Sequence, residues 1–177
     1  MRLSNALLFR GLLLAVAMAA TITACAQDAA THSGDTAVFA SVVGTLHEKT
    51  KVPLRLPTFL PFDRDRSNPL YANLRSVDEN SYSVELGWVA DCEGGNACHY
   101  GTVSGSTKPV EVEQGRRVAV NLVHGIHGYF VDSTCGAHCD DATLNWSQNG
   151  YFYQISVKAG RMAELKLIAN SAIGGDR

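Results

Sequence analysis

Between Asp35 and Thr50, apolar residues recur at helical spacing: Val38, Phe39, Val42, Val43 and Leu46 share a stripe, with Asp35 placed as an N-cap. This helix must end before Pro53, and its stripe needs a sheet to lie on. The next segment, Pro53-Leu54-Arg55-Leu56-Pro57-Thr58-Phe59-Leu60-Pro61, is apolar but studded with prolines, which lack the backbone donor of a central strand. It is therefore an edge strand or an extended crossing segment. Phe62 to Asn68, before Pro69, interleaves Asp and Arg and reads as an exposed loop.

From Leu70 onward the period changes to two. Tyr82, Val84, Leu86 and Trp88 alternate with Ser81, Ser83, Glu85 and Gly87, which predicts a half-buried strand. A glycine-bearing turn from Cys92 to Cys98 leads into a partner strand from His99 to Ser104. Val110 and Val112, then Val118, Val120 and Leu122, alternate on either side of Gly115 and predict a second hairpin, followed by a short strand from Tyr129 to Asp132. Leu144 and Trp146, the pair Asn149-Gly150, and Tyr151, Tyr153, Ile155 and Val157 make the clearest hairpin, because Asn-Gly suits the positive backbone angles of a tight turn. A terminal helix buries Met162, Leu165, Ile168, Ala169 and Ala172 and stops at Gly174. Helix, strands, helix is the order of an α+β domain: a twisted antiparallel sheet with an N-terminal and a C-terminal helix packed on one face, one globular domain over residues 35–174.

Upstream of that domain the pattern is different. Arg2 and Arg10 precede an apolar stretch from Leu12 to Met18 and then small residues, the layout of a secretory signal. The stretch is short for a membrane span, which needs about 20 apolar residues, and no other stretch is long enough. It closes on Ile22-Thr23-Ala24-Cys25, which resembles the lipobox of bacterial lipoproteins. The resemblance implies that residues 1–24 are removed, that the Cys25 thiol takes a diacylglyceryl group, and that the new amino terminus is acylated. The chain's partner would then be a membrane, reached through lipid on Cys25. A plain signal peptide cut near Ala24 or Ala26 is the rival reading, but it leaves an unpaired thiol in an oxidising compartment. Several acyl chains on one residue also hold stably where one binds only marginally. Ala26 resembles the outer-membrane class of the family, since the inner-membrane retention signal is Asp there. The expected address is the bacterial cell envelope, facing the periplasm. Residues 26–34 after the lipidated Cys25 are small and polar and form a tether that reaches at most roughly 30 Å; His32 in it is solvated.

With 46% apolar and 18% charged residues, the chain has the composition of an ordinary globular protein. Removing Arg2 and Arg10 leaves 13 basic against 17 acidic residues, a formal charge of −4. That excess argues against a nucleic-acid partner, because phosphate binding needs clustered basic residues and the only late basic pair is Arg116 and Arg117. A solvated hairpin face accounts for the pair.

Four cysteines follow Cys25, grouped as Cys92 with Cys98 and Cys135 with Cys139. In an exported chain this predicts two disulfides, with three connectivities open. The local pairing is favoured because each pair brackets a glycine-bearing loop; closing each loop is worth about 2 kcal/mol. A metal site is the alternative: His99 follows Cys98, His138 lies between Cys135 and Cys139, and His124 and His127 offer two imidazoles to zinc or copper. Oxidised cysteines cannot ligate, the spacings are not the tight Cys-x2-Cys knuckle, and His124 and His127 read as turn or strand-end residues beside Gly125 and Gly128. No cofactor is expected. Ser104-Gly105-Ser106 lacks the Gly-x-Ser-x-Gly frame of a nucleophile elbow, and Glu85, Glu111 and Glu113, on strands, read as outward surface carboxylates rather than a glycosidase pair.

The last third of the chain carries one further resemblance. Leu144-x-Trp146, the Asn-Gly turn, Tyr151-Phe152-Tyr153 and the helix containing Leu167-Ile168-Ala169-Asn170-Ser171 are similar to the closing hairpin and helix of an uncharacterised secreted domain. That domain occurs in bacterial lipoproteins and on the outer side of anti-sigma factors, and the resemblance brings no catalytic residue with it. The expected function is a non-catalytic binding or accessory module of the envelope that contacts another protein, a lipid or a glycan. A metal-binding lipoprotein and a sensory domain acting through a partner are the alternatives.

Overall fold

The computed structural model describes residues 35–61, 69–92, 95–110 and 117–174. The first helical stretch is in two pieces, α1 (Asp35–Val38) and α2 (Ala40–Lys49). Asp35, read as the N-cap, is the first residue of α1. The break falls at Phe39, which is buried and whose carbonyl accepts from both Val42 and Val43 at 3.0 Å. Val42 and Leu46 are the buried residues of α2.

The proline-rich segment after α2 lies in no strand. It crosses the apolar side of the sheet with Val52 and Leu60 buried and Leu54 and Leu56 packed against the core. Lacking a ladder, its backbone takes partners from side chains. The Arg55 N–H donates to the Tyr82 hydroxyl at 3.0 Å, the Tyr153 hydroxyl donates to the Pro53 carbonyl at 3.1 Å, and the Phe59 N–H donates to Ser171 Oγ at 3.2 Å. Two tyrosines placed at strand interiors thus act as brackets for a chain that cannot join the sheet.

Among the described residues seven strands follow: β1 (Tyr71–Asp78), β2 (Ser81–Gly87), β3 (His99–Ser106), β4 (Arg117–Asn121), β5 (His127–Val131), β6 (Asp141–Gln148) and β7 (Tyr151–Lys158). They form one sheet in the order β1-β2-β3-β7-β6-β5-β4, every neighbouring pair antiparallel. The β6–β7 hairpin turns on Asn149 and Gly150 as the sequence predicts, with φ of 53° and 82°. Residues 111–116, which hold the centre of the hairpin predicted around Gly115, lie outside the described residues. Val110 is in no strand, and the partner of β4 is β5, reached through a short 3-10 turn at Val123–Gly125 in which His124 and Gly125 take φ of 56° and 71°.

Register sorts the side chains onto two faces. Val84, Val103, Ile155, Leu144 and Phe130 lie directly opposite one another across β2, β3, β7, β6 and β5, and all are buried. Tyr82 and Tyr153 flank Gly105 in the same way, and a Cβ at Gly105 would lie 2.5 Å from the Tyr82 ring, so glycine makes room for the ring there. The alternate positions carry Glu85, Thr102, Ser156 and Thr143 in one row and Ser83, Ser104, Gln154 and Asn145 in the next. One face is apolar, the other almost wholly polar.

The chain closes with α3 (Met162–Ile173), which contacts β6 and β7, while α2 contacts β1. Leu165, Ile168, Ala169 and Ala172 are buried as predicted, but Met162 is 36% exposed and Ile173 takes its place in the stripe. Met162 is the first residue of α3. Gly174 does cap the helix, though in right-handed rather than left-handed backbone (φ −78°). The buried residues of α2 and α3 belong to the same apolar cluster as the strands. The architecture is α+β.

Candidate functional site

The polar face owes its chemistry to two irregularities. Between Leu74 and Ser76 the β1–β2 register shifts, leaving Arg75 as an extra residue; between Leu86 and Gly87 the β2–β3 register shifts, leaving Tyr100 extra. A bulge re-aims the residues beside it. Here both bulges serve Glu85, which alternation predicts as an outward surface carboxylate and which is instead 2% exposed. Glu85 Oε2 lies 3.0 Å from Arg75 Nε, and Glu85 Oε1 lies 3.2 Å from His99 Nδ1. The other imidazole nitrogen, His99 Nε2, lies 2.9 Å from Asp141 Oδ2, which also accepts from Ser156 Oγ at 2.6 Å. The Cys92 side chain packs beside Glu85: Cys92 is 2% exposed and its Sγ sits 3.4 Å from Glu85 Oε1.

An imidazole gripped by a carboxylate at each nitrogen donates twice, which only the protonated ring can do. The hydrogen bond to Asp141 accordingly raises the affinity of His99 for its proton, against the opposing effect of partial burial. Burial alone would raise the Asp141 carboxyl, but hydrogen bonds from His99 and Ser156 outweigh it and hold Asp141 below the ordinary carboxylate range. Two carboxylates, one imidazolium and one guanidinium balance in charge. A general base needs a free lone pair, and His99 has none in this arrangement. The cluster holds a proton and ties β1, β2, β3 and β6 together.

The other end of the polar face is built differently. A cleft of about 210 Å³ opens there, with Arg117, His127, Tyr129, Asn145, Ser147 and Phe152 in its lining, beside Pro109 and Val110. Tyr129 is 46% exposed, and the Arg117 guanidinium lies over its ring at 5.3 Å from the centroid. His127 Nδ1 is 2.9 Å from Asn121 Oδ1, so that nitrogen is the donor and Nε2 is left for a ligand. Asn145 donates to Thr143 Oγ1 at 3.3 Å, and its own Oδ1 is buried with no hydrogen-bond partner. No carboxylate is among the described lining residues. A groove between α2 and β1, about 760 Å³, is lined by residues such as Val38, Ser41, Leu70 and Leu74, and its described lining residues include no carboxylate, imidazole, amine or thiol.

Comparison of the chain with family models, with curated proteins and with solved structures finds no match.

The cysteines after Cys25 pair locally, Cys92 with Cys98 and Cys135 with Cys139, at Cα–Cα distances of 5.7 and 4.0 Å. Their sulfurs are therefore not thiolate ligands. His124 sits in the 3-10 turn and His138 in the Cys135–Cys139 loop, both exposed, and His127 is the one of the three that enters the cleft. Among the described residues no three His, Cys, Asp or Glu side chains are placed to hold a metal ion. Ser104 and Ser106 stand on the polar face of β3, where Ser104 faces Ser83 and Gln154. Cys25, Glu111, Glu113 and Arg116 lie outside the described residues. Among the described residues no helix is long and apolar enough to cross a membrane. Sequence reasoning missed Arg75, His99 and Asp141 as a set with Glu85, and it missed Arg117 with Tyr129; only strand pairing brings either group together.

Proposed function

We propose that this chain is an exported lipoprotein, anchored through lipid on Cys25 in the cell envelope and facing the periplasm, whose folded domain is a non-catalytic binding module. The lipobox Ile22-Thr23-Ala24-Cys25 supports the anchor, and Ala26 after it supports the outer membrane where there are two. The observation that carries the binding role is the contrast between the two faces of the sheet. In this reading both helices and the crossing segment cover the apolar face, and the polar face is left as the working surface. Its one histidine in a carboxylate network is committed at both nitrogens, whereas the Arg117–Tyr129 cleft presents groups with partners still to gain. Recognition sites of this kind are concave, with aromatic walls and a few fixed polar groups.

Mass spectrometry of the chain expressed in a bacterial host tests the anchor. The expected mature form begins at Cys25 and carries acyl chains, and Cys25→Ser abolishes the modification and releases the chain from the membrane fraction. An unmodified amino terminus at or beyond Cys25 contradicts the reading.

A further inference from the structure

We propose that the cleft at the β4–β7 end of the polar face binds an acidic sugar unit of a glycan. The assignment rests on the binding role argued above and names its ligand. Size comes first. At about 210 Å³ the cleft is smaller than the roughly 300–1,000 Å³ of sites that enclose a whole drug-sized ligand, so it takes one ring-sized unit of something longer.

Backbone pairing decides between a sugar and a peptide. A bound peptide must satisfy its own N–H and C=O groups, and grooves that take one commonly do so at an open sheet edge. The cleft spreads over the face of the sheet, where β5, β6 and β7 are already paired with neighbours on both sides, and of its strand residues Arg117 alone comes from the edge strand β4. It offers side chains instead: Asn145, the Ser147 hydroxyl and the His127 ring. Those groups match the hydroxyls of a sugar. The ring of Phe152, and the side of the half-exposed Tyr129 ring away from Arg117, supply aromatic surface, whose negative faces attract the weakly positive C–H groups on the flat side of a pyranose.

Charge selects within the sugars. Arg117 carries the one permanent charge among the described lining residues, and its contact over the Tyr129 ring holds the guanidinium there without consuming its N–H donors. A guanidinium so held is preorganised for a carboxylate, which it takes in two parallel hydrogen bonds.

Isothermal titration of the full chain in detergent micelles tests the assignment with four probes: a glucuronate-containing trisaccharide, the uncharged glucose trisaccharide, triglutamate and inorganic phosphate. The acidic trisaccharide is expected to bind, with the neutral one weaker by roughly tenfold or more, the loss of a charge-assisted pair. Arg117→Gln should abolish that preference, bringing the acidic trisaccharide down to the affinity of the neutral one. Arg117→Lys, which keeps the charge but loses the planar fork, should fall between, and Tyr129→Ala should weaken both sugars. Equal or tighter binding of triglutamate or phosphate, no binding of either sugar, or an unchanged preference in Arg117→Gln overturns the assignment. If sugars fail while a photoreactive group at Tyr129 still gives a discrete adduct in the envelope, the binding role stands and only the ligand class falls; if both fail, both fall.

Discussion

Replacing His99 with alanine probes the network that orders the polar face, and its cost can be worked from the geometry. The substitution removes two charge-assisted hydrogen bonds, to Glu85 at 3.2 Å and to Asp141 at 2.9 Å. It also leaves Glu85, 2% exposed, with Arg75 as its remaining cationic neighbour in the network. Breaking a fully buried ionic pair costs 3–5 kcal/mol; with the His99 side chain 18% and the Asp141 side chain 25% exposed, the expected loss is about 2–4 kcal/mol. The cost must depend on pH. Folding raises the proton affinity of His99 above its ordinary value of 6.5, so its contribution is full below that pH and is lost as pH rises through the raised folded value. Asp141 behaves oppositely: its contribution is present above 3.8 and is lost on acidification through its lowered folded value. Urea unfolding followed by the fluorescence of Trp88 and Trp146, at about pH 5.5 and about pH 9, should show a larger gap between wild type and His99→Ala at the lower pH. A gap below about 1 kcal/mol, or one equal at both pH values, refutes the reasoning.

Two further perturbations separate parts of the fold. Removing Cys92–Cys98 should cost more than the about 2 kcal/mol of loop entropy, because Cys92 is buried against Glu85 and a Cβ at Gly87 would lie 2.6 Å from the Cys92 Cβ, whereas removing Cys135–Cys139, in an exposed loop, should cost no more than that; paired Cys→Ser variants compared by thermal unfolding check the order. Gly105→Ala drives a methyl into the Tyr82 ring and should destabilise by about 1–3 kcal/mol, and pairing it with Tyr82→Leu should recover part of that loss in a double-mutant cycle.

Periodicity carried the sheet and the last hairpin into view because both are local signals: alternation from Tyr82 to Leu86, and Asn149-Gly150 between two aromatic strands. The crossing of the proline-rich segment was legible as one of two options, since proline forbids a central strand whatever the tertiary context. The break at Phe39, the exposure of Met162 and the partner of β4 were not, for each depends on where another element lies. Glu85 is the instructive failure. Alternation put it correctly on the polar face, but alternation equates polar with exposed, and Arg75, Cys92 and His99 gather around the carboxylate and leave it 2% exposed. The candidate site was illegible for the same reason. Arg117, Tyr129, Asn145 and Phe152 come from four strands and meet only through a sheet order in which β7 returns to pair with β3 and β4 closes the far edge. Cys25 is the reverse case: its proposed role is written in four consecutive residues and owes nothing to the fold.

The claim that the polar face is the working surface is tested most directly by site-specific photocrosslinking in the envelope. A photoreactive amino acid at Tyr129, on that face, is compared with one at Glu48, exposed on α2. The account predicts a discrete adduct from position 129 that is diminished by Arg117→Gln, and none from position 48. Adducts of equal yield from both positions, or none from 129, would contradict it.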